Sequence, residues 1–274
     1  TDLGFNLLID QVENEEITYK TLDENIATVT DAGLVTGQKY GTTKIEVSTN
    51  KLPNKVLIDV QVLRKNDKTI AKTVSGTDFT LALKADGTVW ATGLNNYGQL
   101  GNGTTENTNT FQQVKLNENG DYLENIVSIA AGYTASYAVT AEGEVYGWGR
   151  NDDGELGIGS KSSEINELYP VKMKKISNII QVAAGANHAI MLDADGNVWS
   201  TGYNSSGQLG TGDKATQTLP QQMVSVSGIK EIAAGTNHSV MLTEGGNILS
   251  AGSSTRSQMG DGSSTDRTTA VYTR

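Results

Sequence analysis

The chain has 274 residues, enough for two domains, and its 31 glycines and 3 prolines suit many short strands joined by tight turns. It has no cysteine, which excludes a disulfide framework and a thiolate metal site. With a formal net charge of −10, no basic run and no apolar stretch near the roughly 18 residues of a membrane span, we expect neither nucleic acid nor membrane insertion.

The first predicted elements lie in residues 1–64, where polar and apolar residues alternate as they do in antiparallel strands. Three clear runs cover residues 27–30, 43–47 and 56–62, and turn-forming glycines and asparagines separate them. This spacing predicts a small β-sandwich.

The stretch ITYKTLDENIATVTDAGLVTGQKYGTTKIEVS resembles the bacterial Ig-like domain, group 2. Tyr19 stands where that family usually has tryptophan. The residues that carry the resemblance are Ala27, Val29, Gly33, Leu34, Val35, Gly37, Gly41, Thr42, Thr43, Ile45 and Val47. The resemblance implies a spacer or adhesive module of the kind found on bacterial and phage surfaces.

From residue 65 onward, a ladder of six positions recurs four times with identical spacing, and one member alone, Ser257, is not glycine. A period of about 50 residues indicates a solenoid, a propeller or a modular array. The ladder consists of Gly76, Gly87, Gly93, Gly98, Gly101 and Gly103; Gly132, Gly143, Gly149, Gly154, Gly157 and Gly159; Gly185, Gly196, Gly202, Gly207, Gly210 and Gly212; and Gly235, Gly246, Gly252, Ser257, Gly260 and Gly262.

Each repeat is predicted to hold four short strands, with a hairpin turn between the second and third at Asp86-Gly87 and its equivalents. The fourth strands are predicted at residues 113–115, 170–172, 222–224 and 270–272. Four strands per repeat of about 50 residues describe a propeller blade. We therefore predict an all-β chain: an Ig-like β-sandwich in residues 1–64, then a β-propeller-type array of four four-stranded repeats in residues 65–274. The repeats are predicted at about 70–122, 123–175, 176–226 and 227–274.

Residues 185–210 match the regulator-of-chromosome-condensation repeat almost position for position, through the motif G-x-x-H-[AS]-x-x-L-x-x-D-G-x-V-[WY]-x-x-G-x-N-x-x-G-Q-L-G. Repeats 1 and 2 have Phe79 and Ala135 in place of the histidine. That family usually folds as a seven-bladed propeller, so four repeats belong to a longer array, close on themselves, or combine with a second chain. The last strand, residues 270–274, either pairs with the first blade as a strand swap or leads into a fifth repeat.

No catalytic, cofactor or metal site is predicted, and we expect a protein that is not an enzyme. His188 and His238 occupy the same position in two repeats, which favours a packing role over general-base or ligand chemistry. The acids are scattered through turns, where aspartate is expected for backbone reasons. Neither a phosphate loop nor a nucleophile elbow is present. One equivalent position holds aromatic residues that we expect in the core: Trp90, Tyr146 and Trp199.

The loops that follow the third strands are the candidate binding surface, because a rigid scaffold presents its binding residues on loops. They occupy one position in every repeat and should cluster on one face. Their candidate partner-binding residues are Tyr97, Arg150, Asp152, Asp153, Tyr203 and Arg256. The alternative is a solvated rim with no partner.

Together these features predict a non-catalytic binding or adhesion module of a bacterial cell-surface or secreted protein, with the loop face binding protein or glycan. The chain starts at Thr1 without an initiator methionine or a signal peptide, so we interpret it as a processed or excised fragment. The alternative is an inhibitor or regulator of a secreted enzyme, because the repeat family includes a secreted inhibitor of β-lactamases. A carbohydrate-active enzyme, or a guanine-nucleotide exchange factor like the family member that acts on Ran, is a weaker alternative.

Overall fold

The computed structural model describes residues 5–6, 16–38, 41–50, 55–62 and 69–273, and every regular element in these ranges is a β-strand. The all-β class is therefore confirmed. No helix in the described ranges is long and apolar enough to cross a membrane. The chain divides into two compact units, residues 1–67 and 68–274.

The first unit contains two three-stranded antiparallel sheets, with strand orders β1-β4-β3 and β2-β5-β6. Its strands are β1 (Phe5–Asn6), β2 (Ile17–Thr21), β3 (Ala27–Val29), β4 (Leu34–Gly37), β5 (Gly41–Thr49) and β6 (Val56–Val62). Ala27 and Val35 of one sheet share a buried core with Ile45, Val47 and Val60 of the other. This packing is the predicted β-sandwich.

The second unit contains four antiparallel sheets, here called blades 1 to 4, each built from four consecutive strands in chain order. Blade 1 comprises β7 (Lys72–Ser75), β8 (Phe79–Leu83), β9 (Val89–Gly93) and β10 (Thr108–Gln113). Blade 2 comprises β11 (Ile126–Ala131), β12 (Ala135–Thr140), β13 (Val145–Asn151) and β14 (Ser162–Lys172). Blade 3 comprises β15 (Ile179–Ala184), β16 (His188–Asp193), β17 (Val198–Gly202) and β18 (Gln217–Gln222). Blade 4 comprises β19 (Ile229–Gly235), β20 (His238–Thr243), β21 (Ile248–Gly252) and β22 (Arg267–Tyr272).

The hairpin between the second and third strand is the same in every blade. Its glycine has a positive φ of 81° at Gly87, 80° at Gly143, 80° at Gly196 and 83° at Gly246. Glycine adopts this left-handed conformation without the steric cost of a Cβ atom. The predicted turns are confirmed, and they fix the register of the two central strands.

The hydrophobic cores of the second unit lie between blades rather than within them. In the first cluster, Leu81 and Val89 of blade 1 pack with Ile126 and Ile129 of blade 2. The next two junctions repeat the arrangement with Val145, Ile179 and Val182, and with Val198, Ile229 and Ile232. The first strand of each blade thus completes the core of the blade before it, so a single blade does not bury its apolar face alone.

Two predictions about the fourth strands are wrong. The strands begin earlier than predicted, and β10 and β18 end at Gln113 and Gln222, before the buried Val114 and Met223 that were expected inside them. The cause is the polar start of these strands, which is mostly exposed in β10 and half-buried in β18 and lacks the apolar alternation that marks a strand in sequence. In addition, β22 pairs with β21 of its own blade, so the alternative of a strand swap onto blade 1 is wrong.

The equivalent aromatic residues are less buried than predicted. Tyr146 and Trp199 are half-buried at the edges of two core clusters, and the ring of Trp90 lies 3.6 Å from Lys84 Nζ. Trp148 is instead fully buried, and its Nε1 donates a hydrogen bond of 2.9 Å to the Gln99 carbonyl of the preceding blade. Trp148 is two residues further along the strand than Tyr146 and points into the junction between the blades.

Candidate functional site

The loops that carry the candidate residues are held by a buried asparagine at the same position in three blades. In blade 1, Asn95 Oδ1 accepts a hydrogen bond of 2.9 Å from Leu100 N, and Asn95 Nδ2 donates one of 2.9 Å to Thr104 O. Asn151 and Asn204 do the same in blades 2 and 3. Since these side chains satisfy the backbone of each loop, the loops are rigid platforms for the residues between them.

Arg150 joins the loops of blades 1 and 2. Its guanidinium carbon lies 5.5 Å from the centroid of the Tyr97 ring, and its Nη2 forms an ion pair with Asp152. The Asp152 hydrogen bond raises the pKa of Arg150 above its usual value. The Nε atom of Arg150 is buried and has no hydrogen-bond partner within the described residues. Stacking and pairing together fix the orientation of the guanidinium group.

Asn187 links Asp153 of blade 2 to Tyr203 of blade 3. Its Nδ2 donates a hydrogen bond of 3.0 Å to Asp153 Oδ2, and its carbonyl accepts one of 2.8 Å from Tyr203 N. We call the set of Tyr97, Arg150, Asp152, Asp153, Asn187 and Tyr203 the loop cluster. It spans three blades and brings together five of the six residues that sequence reasoning selected.

Arg256, the sixth candidate, lies on the equivalent loop of blade 4. It is exposed, and its backbone N–H donates a hydrogen bond of 2.8 Å to Gln258 Oε1. Within the described residues its side chain forms no hydrogen bond, ion pair or ring stack with the loop cluster. Arg256 lies on the equivalent loop of its blade, as its place in the repeat predicts. That equivalence does not place its side chain next to the other five candidates.

Sequence reasoning missed Glu155, which is buried directly beneath the loop cluster. Its Oε2 accepts a hydrogen bond of 2.9 Å from Asp153 N. Gln99, Gln208 and Gln258 occupy the same position and accept the equivalent bond through their neutral Oε1 atoms. Burial raises the pKa of Glu155 to about 7. A glutamate among equivalent glutamines was visible in the sequence, whereas the contacts of Asn187 depend on tertiary structure and had no signal there.

The two histidines lie in different environments. His188 is buried at the junction of blades 3 and 4, and its Nε2 lies 3.1 Å from Ser239 Oγ. Burial lowers the pKa of His188 to about 4, so the ring is neutral at pH 7. His238 is only half-buried. In the described part of the chain, no three His, Cys, Asp or Glu side chains lie close enough to hold a metal ion.

The inner ends of the blades surround a cavity of about 210 Å³. All four blades contribute to its lining, through the first glycine of each repeat and the residues beside it: Gly76, Gly132, Gly185 and Gly235. The cavity wall is mainly backbone and small side chains, with Tyr133 as its one aromatic residue among those described. None of the described residues that line it has a charged side chain.

Comparison with known families gives two matches. The Regulator of chromosome condensation (RCC1) repeat matches residues 86–139, 142–192 and 195–242, which together are more than half of the chain. A second model of the same repeat matches residues 70–99, 126–155, 179–208 and 229–258. The Bacterial Ig-like domain (group 2) matches residues 7–60.

Curated relatives share the repeats but are much longer. The chain is 33% identical over 153 residues to the Ultraviolet-B receptor UVR8 of Arabidopsis thaliana, covering 55% of this chain and 33% of the receptor. It is 30% identical over 141 residues to the Regulator of chromosome condensation of Xenopus laevis, covering 52% and 32%. It is 32% identical over 149 residues to the human Probable E3 ubiquitin-protein ligase HERC3, covering 54% and 14%. The chain thus spans about a third or less of these relatives.

Solved structures share the fold. Prp20p of Saccharomyces cerevisiae superposes with a TM-score of 0.66 at 21% identity, over 85% of this chain and 61% of that one. Human WBSCR16 superposes with the same TM-score at 19% identity, over 85% and 65%. At these identities the similarity shows the propeller fold alone.

Proposed function

The chain belongs to the Regulator of chromosome condensation (RCC1) repeat family, and from this premise we propose that its blades form a non-catalytic protein-binding module. The loop cluster is the proposed binding surface. The observation that carries the proposal is the stack of Arg150 of blade 2 on Tyr97 of blade 1, with the guanidinium group also paired to Asp152 and both stacked side chains half-buried.

Side chains of these types suit a protein interface. Tyrosine and arginine are enriched among the residues that dominate binding energy, because they bring large contact areas and directed hydrogen bonds. Holding them in place before binding reduces the entropy lost on association.

Structural neighbours support a protein ligand over a glycan. Prp20p was studied for binding to Gsp1p and histones, and yeast RCC1 was solved bound to Kap60. The chain covers 61% and 58% of those structures at 21% identity, so the partners of the yeast proteins are not assigned to this chain.

We further propose that the module acts at a bacterial cell surface or in a secreted protein. The supporting observation is the Bacterial Ig-like domain in residues 7–60, next to the repeats. Protease treatment of intact cells of the source organism tests this location. If this protein lies at the cell surface, we expect the protease to cut it before it cuts a cytosolic marker. Protection of this protein equal to that of the marker would contradict the location.

The binding proposal is tested with the whole 274-residue chain immobilised and exposed to the secreted and surface proteins of the source organism. We expect retention of one protein, identified by mass spectrometry and then purified. A Tyr97→Ala/Tyr203→Ala double variant should bind it at least tenfold more weakly, which is the scale of losing interface anchor residues.

The matched control is Tyr122→Ala/Tyr272→Ala, which removes two exposed tyrosines outside the loop cluster. It should leave the affinity within twofold. Equal binding by the parent and the loop-cluster variant would show that this face is not the interface. Binding of purified cell-wall glycan, with no protein retained, would overturn the choice of a protein ligand.

A further inference from the structure

The chain contains two Asn-Gly pairs, Asn102-Gly103 and Asn119-Gly120, and both lie in loops of the first repeat. In such a pair the glycine nitrogen can attack the side-chain amide carbon of the asparagine and close a five-membered ring. Glycine favours this reaction because it has no Cβ atom to hinder the approach and its backbone turns freely. The two pairs have the same local sequence, so a difference in their reactivity comes from the tertiary structure.

The side chain of Asn102 is locked in place. Asn102 is 7% exposed, and its Oδ1 accepts hydrogen bonds from Asn95 Nδ2 at 3.2 Å and from Thr104 N at 3.1 Å. Its Nδ2 donates one of 3.1 Å to Gln112 Oε1. A side chain held at both amide atoms cannot rotate its Cγ onto the following nitrogen without breaking these bonds.

The nitrogen of Gly103 is engaged as well. It donates a hydrogen bond of 3.1 Å to Leu168 O of blade 2. A Cβ atom on Gly103 would clash with the Tyr169 hydroxyl, so the neighbouring blade packs directly against this glycine. Attack by this nitrogen requires blade 2 to move away from the loop, which makes the reaction depend on local unfolding.

Asn119 is in the opposite situation. It is exposed, in the segment of residues 117–121 between β10 and β11, and within the described residues its side chain forms no hydrogen bond. The segment is held instead by Asn117, whose Oδ1 accepts a hydrogen bond of 2.9 Å from Asn119 N. Asn117 Nδ2 donates one of 2.7 Å to Asp121 Oδ2. The backbone is thus positioned while the amide side chain of Asn119 is free to rotate.

Gly120 leaves room for ring closure. Its φ is 93°, and beyond its chain neighbours no described residue has an atom within 4 Å of the position that a Cβ atom would take. Its N–H donates to Asn117 O over 3.4 Å, which is long for a hydrogen bond between backbone groups. This nitrogen is therefore released more easily than that of Gly103, which is bound to the next blade.

We propose that Asn119 is a site of spontaneous deamidation, whereas Asn102 is protected. The Gly120 nitrogen forms a bond to Asn119 Cγ and passes its proton to solvent, and the side-chain NH2 group takes up a proton and leaves as ammonia. Water then opens the resulting succinimide at either carbonyl, which gives aspartate or isoaspartate at position 119. Overall one water is consumed and one ammonia is released, with no change in oxidation state.

The product changes this segment in charge and in length. It adds a carboxylate beside Glu118 and Asp121, and isoaspartate also adds a methylene group to the main chain. The hydrogen bond of 2.7 Å from Leu116 N to Asp121 O closes the segment, so the longer chain has to fit between these two residues. The segment follows the end of β10, and Tyr97 follows the end of the antiparallel β9, so the modification lies at the other end of blade 1 from the loop cluster.

The test incubates the folded chain at pH 8 and follows both sites over time by peptide mass spectrometry. Trypsin separates the two pairs into peptides of residues 85–115 and 116–150. We expect Asn119 to deamidate at least about tenfold faster than Asn102, which reacts only from locally unfolded molecules. Fragmentation that distinguishes isoaspartate from aspartate should locate isoaspartate at position 119.

The urea-unfolded chain is the control for local sequence. There the two pairs should react within about threefold of each other, because the contacts that protect Asn102 are lost. A Gly120→Ala variant places its methyl group in open space and should slow the reaction at Asn119 at least about tenfold, because the Cβ atom hinders the nitrogen.

Two outcomes contradict the proposal. Equal rates at both sites in the folded protein would mean that the structure gives Asn102 no protection. A folded protein in which Asn119 stays intact, while the unfolded chain reacts there, would mean that the segment is not open to ring closure.

Discussion

At the residue scale, the distinctive group is Glu155, a buried carboxyl in a position that three other blades fill with glutamine. Like the glutamines, it accepts through its side-chain oxygen a hydrogen bond from the backbone N–H of the residue two positions before it. The difference is that burial opposes its ionisation. The group buried beneath the loop cluster is therefore one whose charge depends on pH.

We predict that Glu155→Gln stabilises the protein at alkaline pH but not at acid pH. The folded-state pKa of about 7 lies above the ordinary value of 4.5. The parent thus loses stability as the pH rises from about 4.5 through 7, because the unfolded chain ionises first. The full difference corresponds to about 3 kcal/mol. Urea unfolding at pH 5 and pH 8 measures it, and the variant should be more stable by about 1–3 kcal/mol at pH 8.

The exposed Glu164 supplies the control, and Glu164→Gln should change the free energy of unfolding equally at both pH values. An advantage of Glu155→Gln that is the same at pH 5 and pH 8 would mean that the carboxyl is already ionised in the folded protein.

At the element scale, the loop glycine before the Gln-Leu-Gly segment is set by the neighbouring blade rather than by its own. Gly98, Gly154 and Gly207 each lie against the outer strand of the next blade. They also have positive φ angles, so two constraints act on one residue. In blade 4 the described residues place no outer strand of a next blade against this position, and the residue there is Ser257, whose φ is 60°.

We predict opposite effects for the same exchange in neighbouring blades. Gly207→Ser places a Cβ atom 2.6 Å from Arg267 O and 2.7 Å from Thr268 Cα, and should destabilise the protein by about 3 kcal/mol or more. Ser257→Gly removes a left-handed non-glycine residue that costs about 1 kcal/mol, and should be neutral or stabilising. Thermal unfolding at low protein concentration compares the two. Similar losses in both variants would indicate that local backbone conformation, not the blade junction, selects glycine.

At the scale of the whole molecule, stability resides in the junctions between blades. Three core clusters each combine residues of two consecutive blades. Removing one junction residue therefore affects the two blades on either side of it. This coupling also explains why equivalent residues have different environments at the ends of the array.

We predict that Ile179→Ala destabilises blades 2 and 3 together, by about 2–5 kcal/mol, the usual cost of truncating a buried isoleucine. Hydrogen exchange should show faster exchange in both blades. The matched variant Ile70→Ala, at the equivalent exposed position, should change stability by about 0.5 kcal/mol or less when the chain is monomeric. Faster exchange confined to blade 3 after Ile179→Ala would contradict a core shared between blades.

The sequence by itself determined the features that local, periodic patterns encode. The glycine ladder predicted four blades, the Asp-Gly, Glu-Gly and Gly-Gly pairs predicted their hairpins, and polar–apolar alternation predicted the strands of the Ig-like unit. Each of these features depends on residues close together in the chain. The loop position of Tyr97, Arg150 and Tyr203 followed from the same periodicity.

Only the tertiary structure decided which equivalent residues have the same burial and the same contacts. Ile70 and Ile126 have the same place in their repeats, but one is exposed and the other buried, because burial comes from the neighbouring blade. The stacking of Arg150 on Tyr97 and the link of Asn187 to Asp153 likewise join residues from different blades. The polar fourth strands are strands because they pair with the third strand of their own blade, not because their sequences alternate between polar and apolar residues. Repetition in sequence thus specifies the blade, whereas contacts between blades specify the environment of each residue.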